Sequence, residues 1–310
     1  MPRLTRVRRR RWTRRWQARG ARHCLPEGHL AEDGLAAPWR PTVAIPAGTW
    51  AIGSDRHYPE ERPARPVMLP GFRIAAHPVS RAAFAAFVAA TGHVTAAETA
   101  GGSSVFQPTE GPVDLHDPAR WWRFAVGASW RDGPGDHPVT HIAHADALAF
   151  ADWADARLPS EAEWEVAARG GRVDADYAWG DTLMPDGALM ANFWEGSFPW
   201  WHARGQAGTS AIEAYPANDY GLCDMIGNVW EWTTTAAALP PGGCCAPAAD
   251  DAVMLILKGG SFLCAAEYCQ RYRPAARIAV SPAMSSAHIG FRLAADADND
   301  IYHAISGSRK

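Results

Sequence analysis

The sequence predicts a mixed α+β fold with little regular secondary structure. Three observations carry that prediction. Glycine (28), proline (24) and tryptophan (15) are abundant together, which suits many short elements joined by shaped loops, with aromatic rings filling the gaps. Capped helical periodicity occurs three times, always in the first part of the chain. From residue 171 onward, glycine, proline and tryptophan break every apolar run within a few residues, and only short strands and irregular loops fit. At 310 residues and 47% hydrophobic composition, the chain is long enough to bury a core of its own.

Taken in order, the stretch MPRLTRVRRRRWTRRWQARGAR carries ten arginines and no acidic residue. It reads as a solvated basic arm, and with the linker up to residue 40 it precedes the folded part. Folded sequence is expected over 41–297, followed by a polar tail over 298–310. PTVAIPAGTWAIGS reads as strand, turn, strand around Pro46 and Gly48. VSRAAFAAFVAATG reads as a helix with Ser80 at its N-cap, Phe84, Phe87, Val88 and Thr91 at helical spacing, and Gly92 at its end. ADALAFADWADA (145–156) reads as a second helix with Leu148, Ala149 and Trp153 on the inner face. In LPSEAEWEVAARGG, Ser160 and Glu163 form a capping box, Trp164, Ala167 and Ala168 face inward, and Gly170 stops the helix. The runs HPVS (77–80) and HPVT (137–140) are too short to count as a repeat.

A net charge of −3 does not describe a nucleic-acid binder. Arg14 and Arg15 form a twin pair, but no apolar segment of an export signal follows, and no stretch is apolar enough to span a bilayer. Six cysteines are too few for a disulfide scaffold: Cys24 lies in the arm, Cys223 in YGLCDM, and Cys244 and Cys245 are neighbours in a Pro/Gly-rich loop. A monomer in the reducing cytoplasm is the expectation.

Three constellations could carry chemistry. GGSFLCAAEYCQRYRPAAR places Cys264 and Cys269 five apart, with Arg271 and Arg273 close by to favour thiolate over thiol. A local disulfide, two inert buried thiols and a metal site are all compatible with that spacing. Were it a metal site, two lone thiolates suit a soft ion of low coordination, and Cu(I) is the first-row candidate. GLCDMIGNVWEWT brings Asp224, Asn228 and Glu231 together around Gly227, either as a polar turn or as oxygen ligands for Ca²⁺. DHPVTHIAH offers His137, His141 and His144, but Pro138, Val139, Thr140 and Ile142 favour an extended segment, so hydrogen-bonded structural histidines are expected. No G-x-S-x-G elbow, phosphate-binding glycine loop or H-E-x-x-H helix is present, which argues against common hydrolases, nucleotide enzymes and zinc proteases.

In order along residues 42–296, IPAGTWAIGS, HPVSRAAFAAFV, RLPSEAEWEVAARGG, ANFWEGSFP, YGLCDMIGNVWEW, KGGSFLCAAEYCQRYRPAAR and IGFRLA together resemble the formylglycine-generating enzyme family, or sulfatase-modifying factors, of the copper-dependent bacterial type. The frame RLPSEAEWE…GNVWEW…GFR is shared by proteins that merely reuse the fold, whereas the cysteine pair is the specific part. The resemblance implies a C-type-lectin-related fold. It also implies oxidation of a cysteine in a nascent, unfolded sulfatase-type polypeptide to Cα-formylglycine, with O₂ and a thiol reductant. Residue by residue, it implies Cu(I) held by Cys264 and Cys269, Ser261 hydrogen-bonding beside the metal, Trp230 walling the pocket, and Tyr268 between the thiols. For Arg271 and Arg273 it leaves salt bridging as open as catalysis. It implies one Ca²⁺ at Asp224, Gly227, Val229 and Glu231. A second calcium site would begin with Asn192 and Phe193, but Arg204 stands where a ligating aspartate belongs; either its charge replaces the ion or the loop is rebuilt, and a single Ca²⁺ is expected. Ala151, Ala168, Pro274 and Leu293 replace the structural cysteines of secretory members. Gly102 stands where an acid would meet the arginine of a C-x-P-x-R-like substrate motif, so recognition is expected to weaken or to use another acid.

Overall fold

Short strands and short capped helices alternate along residues 41–237 and 253–297, which this computed structural model describes. The basic arm, the polar tail, Cys24, Cys244 and Cys245 lie outside the described residues. β1 (Thr42–Ile45) and β2 (Gly48–Ile52) flank Pro46 as expected, but they do not pair with each other. β2 pairs antiparallel with β3 (Arg65–Leu69), while β1 pairs with β4 (Phe72–Ala75). β11 (Ala294–Asp296) joins the other edge of β4, so the end of the domain closes onto its beginning. β5 (Gly102–Phe106) and β6 (Trp122–Val126) form a separate antiparallel pair. A four-stranded sheet runs in the order β10 (Ile289–Gly290), β7 (Trp230–Ala236), β8 (Leu255–Lys258), β9 (Arg277–Val280). HPVS and HPVT lie against one another through a bridge between Ser80 and Pro138, with Val139 N donating to Val79 O at 2.9 Å.

The helices start where their caps dictate. α1 (Arg81–Thr91) has the Ser80 hydroxyl accepting from Ala83 N and ends at left-handed Gly92. A short helix that the periodicity does not reveal, α2 (Ala96–Thr99), carries a Thr95/Glu98 capping box. α3 (His144–Trp153) differs from expectation on its inner face: Ala147, Phe150 and Ala151 are buried, whereas Leu148 is 43% exposed. Phe150 stacks on Phe84 and meets Phe291 edge-on, and the small alanines beside it allow that close approach. α4 (Glu161–Arg169) has the Ser160/Glu163 box and left-handed Gly170, but it is buried on all sides, charged residues included.

That burial is possible because the charges are paired. Lys258 on β8 is fully buried, with its Nζ 2.9 Å from Glu165 Oε2, and Arg169 Nη2 lies 2.7 Å from Glu165 Oε1. The two neighbouring cations outweigh desolvation and lower the Glu165 carboxyl. A second hub joins sheet and termini. Arg292 Nε and Nη2 donate to the two oxygens of Glu231 at 2.6 and 2.8 Å, both side chains being fully buried, and Trp164 Nε1 donates to Glu231 Oε2. The remaining Arg292 donors reach the carbonyls of Ala75, Cys223 and Asp224. Cys223 is disulfide-bonded, a pairing that the irregular cysteine spacing does not reveal.

The apolar interior forms two clusters. The main one includes Phe84, Phe150, Trp164, Trp232, Phe291 and Cys264. A smaller aromatic one holds Trp121, Trp194, Phe198, Phe262, Leu263 and Ala265. Residues 262–265 contribute to both, so the cysteine loop lies along the seam between them.

Candidate active site

The loop after β8 turns on two glycines. Gly259 (φ 97°) and Gly260 (φ 74°) are left-handed, and a Cβ on Gly260 would sit 2.7 Å from Arg271 O. The reversal brings 261–265 alongside 271–272. Phe262 N donates to Asn228 O at 3.0 Å and Trp194 N to Cys264 O at 3.0 Å, which fixes the loop at both ends. Ser261 N points at Cys264 Sγ (3.5 Å), and Leu263 N donates to the Ser261 hydroxyl. Tight turns then carry Tyr268 N and Cys269 N back to Ala265 O, folding the five-residue spacing into a closed loop.

The two sulfurs are 3.2 Å apart and both thiols are free. Cys264 is buried and Cys269 is partly exposed, so Cys269 is the sulfur an incoming group meets first. Their proton affinities diverge. Burial, followed by the neighbouring Cys269 sulfur, pushes Cys264 well up. The hydrogen bond from the Cys264 thiol, followed by the positive field of Arg271, brings Cys269 down to about 6. Near neutral pH the pair is one thiol donating to one thiolate. Arg271 Nη1 lies 3.8 Å from Cys269 Sγ, and its other donors grip Glu60 Oε1 at 2.6 and 2.9 Å over the face of Tyr58. Arg273 instead makes a buried bidentate pair with Glu61, which is a structural role. Tyr58, Glu60 and Glu61 were not visible as site residues in the sequence; they come from the turn between β2 and β3, some 210 positions upstream, and no local signal marks them.

A titration follows from this geometry. In metal-free protein, thiolate absorbance should rise with a midpoint near pH 6. Arg271→Gln removes a cation that favours the thiolate, so the midpoint moves to higher pH. Cys264→Ala removes the larger influence and moves it further. Unchanged midpoints in both variants would contradict the assignment of causes.

Tyr268 stacks on Phe198 with ring centroids 4.7 Å apart and meets Trp121 edge-on at 5.2 Å. Phe106 and Trp194 extend this aromatic wall. Trp230 opens β7, its indole in the main cluster that also contains Cys264. Trp121, Trp194 and Phe198 were missed by sequence reasoning, although a chain with fifteen tryptophans gave the compositional hint.

The calcium candidates divide. Asn192 Oδ1 and Phe193 O both accept from Arg204 Nη2, at 3.0 and 2.8 Å, and Arg204 Nη1 donates to Tyr215. A guanidinium thus stands between the two expected ligands, and these residues do not fit a second calcium ion. At the other candidate, Glu231 has both oxygens committed to Arg292 and Trp164 and so does not fit as a free ligand. Asp224 does fit. Its carboxyl is pushed up to about 6, first by burial, and Oδ2 accepts from Glu213 N. Among the described residues, no group of three or more His, Cys, Asp or Glu side chains could hold a metal ion.

The three histidines do not form a cluster. His137 Nδ1 lies 2.8 Å from Thr209 Oγ1 and the His144 ring bonds the Thr233 backbone, while His141 Nδ1 is buried without a partner, so the expected hydrogen-bonded set holds for two of the three. Gly102 is enforced by its surroundings: a Cβ there would fall 2.2 Å from Ala125 O and 2.9 Å from the Phe124 ring, so no acid fits at that position. No helix among the described residues is long and apolar enough to cross a membrane.

Comparison with known proteins agrees with this architecture. Residues 30–297 match the sulfatase-modifying factor enzyme 1-like domain. The chain is 48% identical to the formylglycine-generating enzyme of Mycobacterium tuberculosis, covering 82% of this chain and 97% of that protein. It is 35% identical to the mouse protein named inactive Cα-formylglycine-generating enzyme 2, covering 82% and 85%. PvdO from Pseudomonas aeruginosa shares the fold at TM-score 0.56 and 21% identity, covering 82% of this chain and 94% of that structure.

Proposed function

The chain belongs to the sulfatase-modifying factor enzyme family, and from that premise we propose that it oxidises a cysteine of an unfolded sulfatase-type polypeptide to Cα-formylglycine. The observation that carries the reading is the pair of free sulfurs, 3.2 Å apart, one buried and one reachable, beside an aromatic wall. With atoms balanced, the substrate CH₂–SH, one O₂ and two reductant thiols yield the aldehyde, H₂S, water and one disulfide.

The donor set fits a soft ion of low coordination, and Cys264 and Cys269 are the residues to hold Cu(I). When bound, copper supplies one-electron chemistry towards O₂. The protein's own contributions are separable. Arg271 keeps Cys269 as thiolate and is itself held by Glu60. Cys264, buried and still protonated, must lose its proton to become a ligand. Ser261 is assigned to hydrogen bonding beside the ion and oxygen. Tyr268 and Trp230 are assigned to the walls that keep water from the reacting sulfur. A C-x-P-x-R-like motif is the proposed substrate signature, with its arginine met by an acid other than position 102.

The test is incubation of the Cu(I)-loaded protein with such a peptide, a thiol and O₂. The expected result is loss of mass at the peptide cysteine and an aldehyde that reacts with hydroxylamine. A second reading, a non-catalytic binding module, is favoured by the relative named inactive. It predicts peptide binding without aldehyde, and without stoichiometric copper.

A single Ca²⁺ is also proposed, held through Asp224 with the carbonyls of Gly227 and Val229, while Glu231 serves Arg292. Chelation of calcium should lower the melting temperature of the native protein and leave that of Asp224→Ala unchanged. An equal shift in both would remove Asp224 as the ligand.

A further inference from the structure

A cavity of about 210 Å³ opens between the first residue of α1 and the end of β5. Phe106 and Phe262, of the aromatic cluster, line it, and neither Cys264 nor Cys269 does. The polar groups it presents are Arg81, Thr140, His141 and Thr209, with Asp132 exposed at the rim.

Arg81 is unusual for its charge. It is 5% exposed; Nε donates to Trp130 O at 2.8 Å, Nη1 to Pro134 O at 2.6 Å, and Nη2 only reaches Thr140 Oγ1 at 3.5 Å. Every other lysine or arginine buried to this degree among the described residues faces a carboxylate: Arg169 and Lys258 face Glu165, Arg273 faces Glu61 and Arg292 faces Glu231. Arg81 has no carboxylate at ion-pair distance among those residues. A buried cation held by two carbonyls, one long hydroxyl contact and the longer-range field of Asp132 retains part of its desolvation cost, and an anion beside it would relieve that cost.

His141 supplies the second, independent observation. It is 4% exposed, its backbone N donates to Ser286 O, and its Nδ1 has no partner. A buried, unpaired ring nitrogen in the wall of a polar cavity indicates a missing hydrogen-bond partner. Thr140, which only accepts from Arg81 at 3.5 Å, keeps a hydroxyl able to donate, whereas the Thr209 hydroxyl is engaged with His137.

We propose that this cavity binds a small oxyanion of the sulfate or carboxylate class, gripped by the unpaired guanidinium of Arg81 with the hydroxyl of Thr140 and the ring of His141. The opposing charge of Asp132 sits in water and is screened, whereas the Arg81 charge is buried and acts at close range. The anion can be a free inorganic ion or an acidic side chain of a bound polypeptide, and the two share this chemistry.

The test uses the full chain and no turnover. Sodium sulfate is titrated against sodium chloride at constant ionic strength while the His141 ring resonances are followed, and a short acidic peptide is titrated in parallel. Saturable movement of the His141 signals is expected with sulfate, with the peptide, or with both; the arm that saturates identifies the source. Arg81→Gln should weaken binding by about tenfold. Because Arg81 also ties α1 to the 130–134 loop, the exposed variant Asp132→Asn provides a second check; its amide oxygen can still accept from Ser129 N. It should tighten binding by roughly threefold. Absence of saturation in both arms, or weaker binding in Asp132→Asn, would overturn the proposal.

Discussion

Replacing Cys269 by serine is expected to abolish aldehyde formation, with a loss on the order of a thousandfold or more, and replacing Cys264 should do the same. The two losses have different origins. Cys269 is the partly exposed sulfur and already a thiolate near neutral pH, so serine removes both the charge and the soft donor. Cys264 is the buried partner, and serine there removes the second soft donor while keeping a hydroxyl that can still donate to Cys269. Serine preserves the volume and the donor at 264, so a loss of activity there reports sulfur chemistry rather than packing. Turnover equal to the unaltered protein in either variant would refute the assigned roles. The fold should be unaffected, because the loop is held by Asn228, Trp194 and the glycine turn rather than by the thiols.

The largest stability effect is expected at the pair of Glu231 and Arg292. Both are fully buried, and Arg292 also serves the carbonyls of Ala75, Cys223 and Asp224, tying the four-stranded sheet to β4. Arg292→Met leaves a buried carboxylate with only Trp164 as partner, and should cost about 3–5 kcal/mol in urea denaturation. Glu231→Met leaves the guanidinium uncompensated and should cost a similar amount. The double substitution should cost less than the sum, because neither charge is then stranded. A single-variant loss below about 1 kcal/mol would show that the pair does not organise this junction.

What the sequence disclosed follows the range of the interactions involved. The caps of α1 and α4 are contacts within four residues, and Ser80, Gly92, Ser160, Glu163 and Gly170 declare them directly. The inner face of α3 depends on which neighbours approach. Leu148 looked like a core residue by type, yet Phe84 and Phe291 come from elsewhere and select Phe150. The same division holds at the site. The five-residue spacing of Cys264 and Cys269 is local and legible, but the charge state of the pair depends on Arg271 held by Glu60 from a distant turn. Arg204 is an intermediate case. Its sign alone argued against a cation, but only the fold shows that it donates to both Asn192 and Phe193. Arg81 gave no signal, and His141 stood out only as one of three structural histidines, because a buried polar group short of partners is recognised by what fails to surround it.

The proposed role of the sulfurs at 264 and 269 is to act together as one soft-metal site. Anaerobic titration of the reduced full chain with Cu(I) against a competing chelator tests this most directly. A single tightly held Cu(I) per chain is expected, lost in Cys264→Ser and in Cys269→Ser. Failure of the unaltered chain to retain copper, or undiminished retention in both variants, would contradict it.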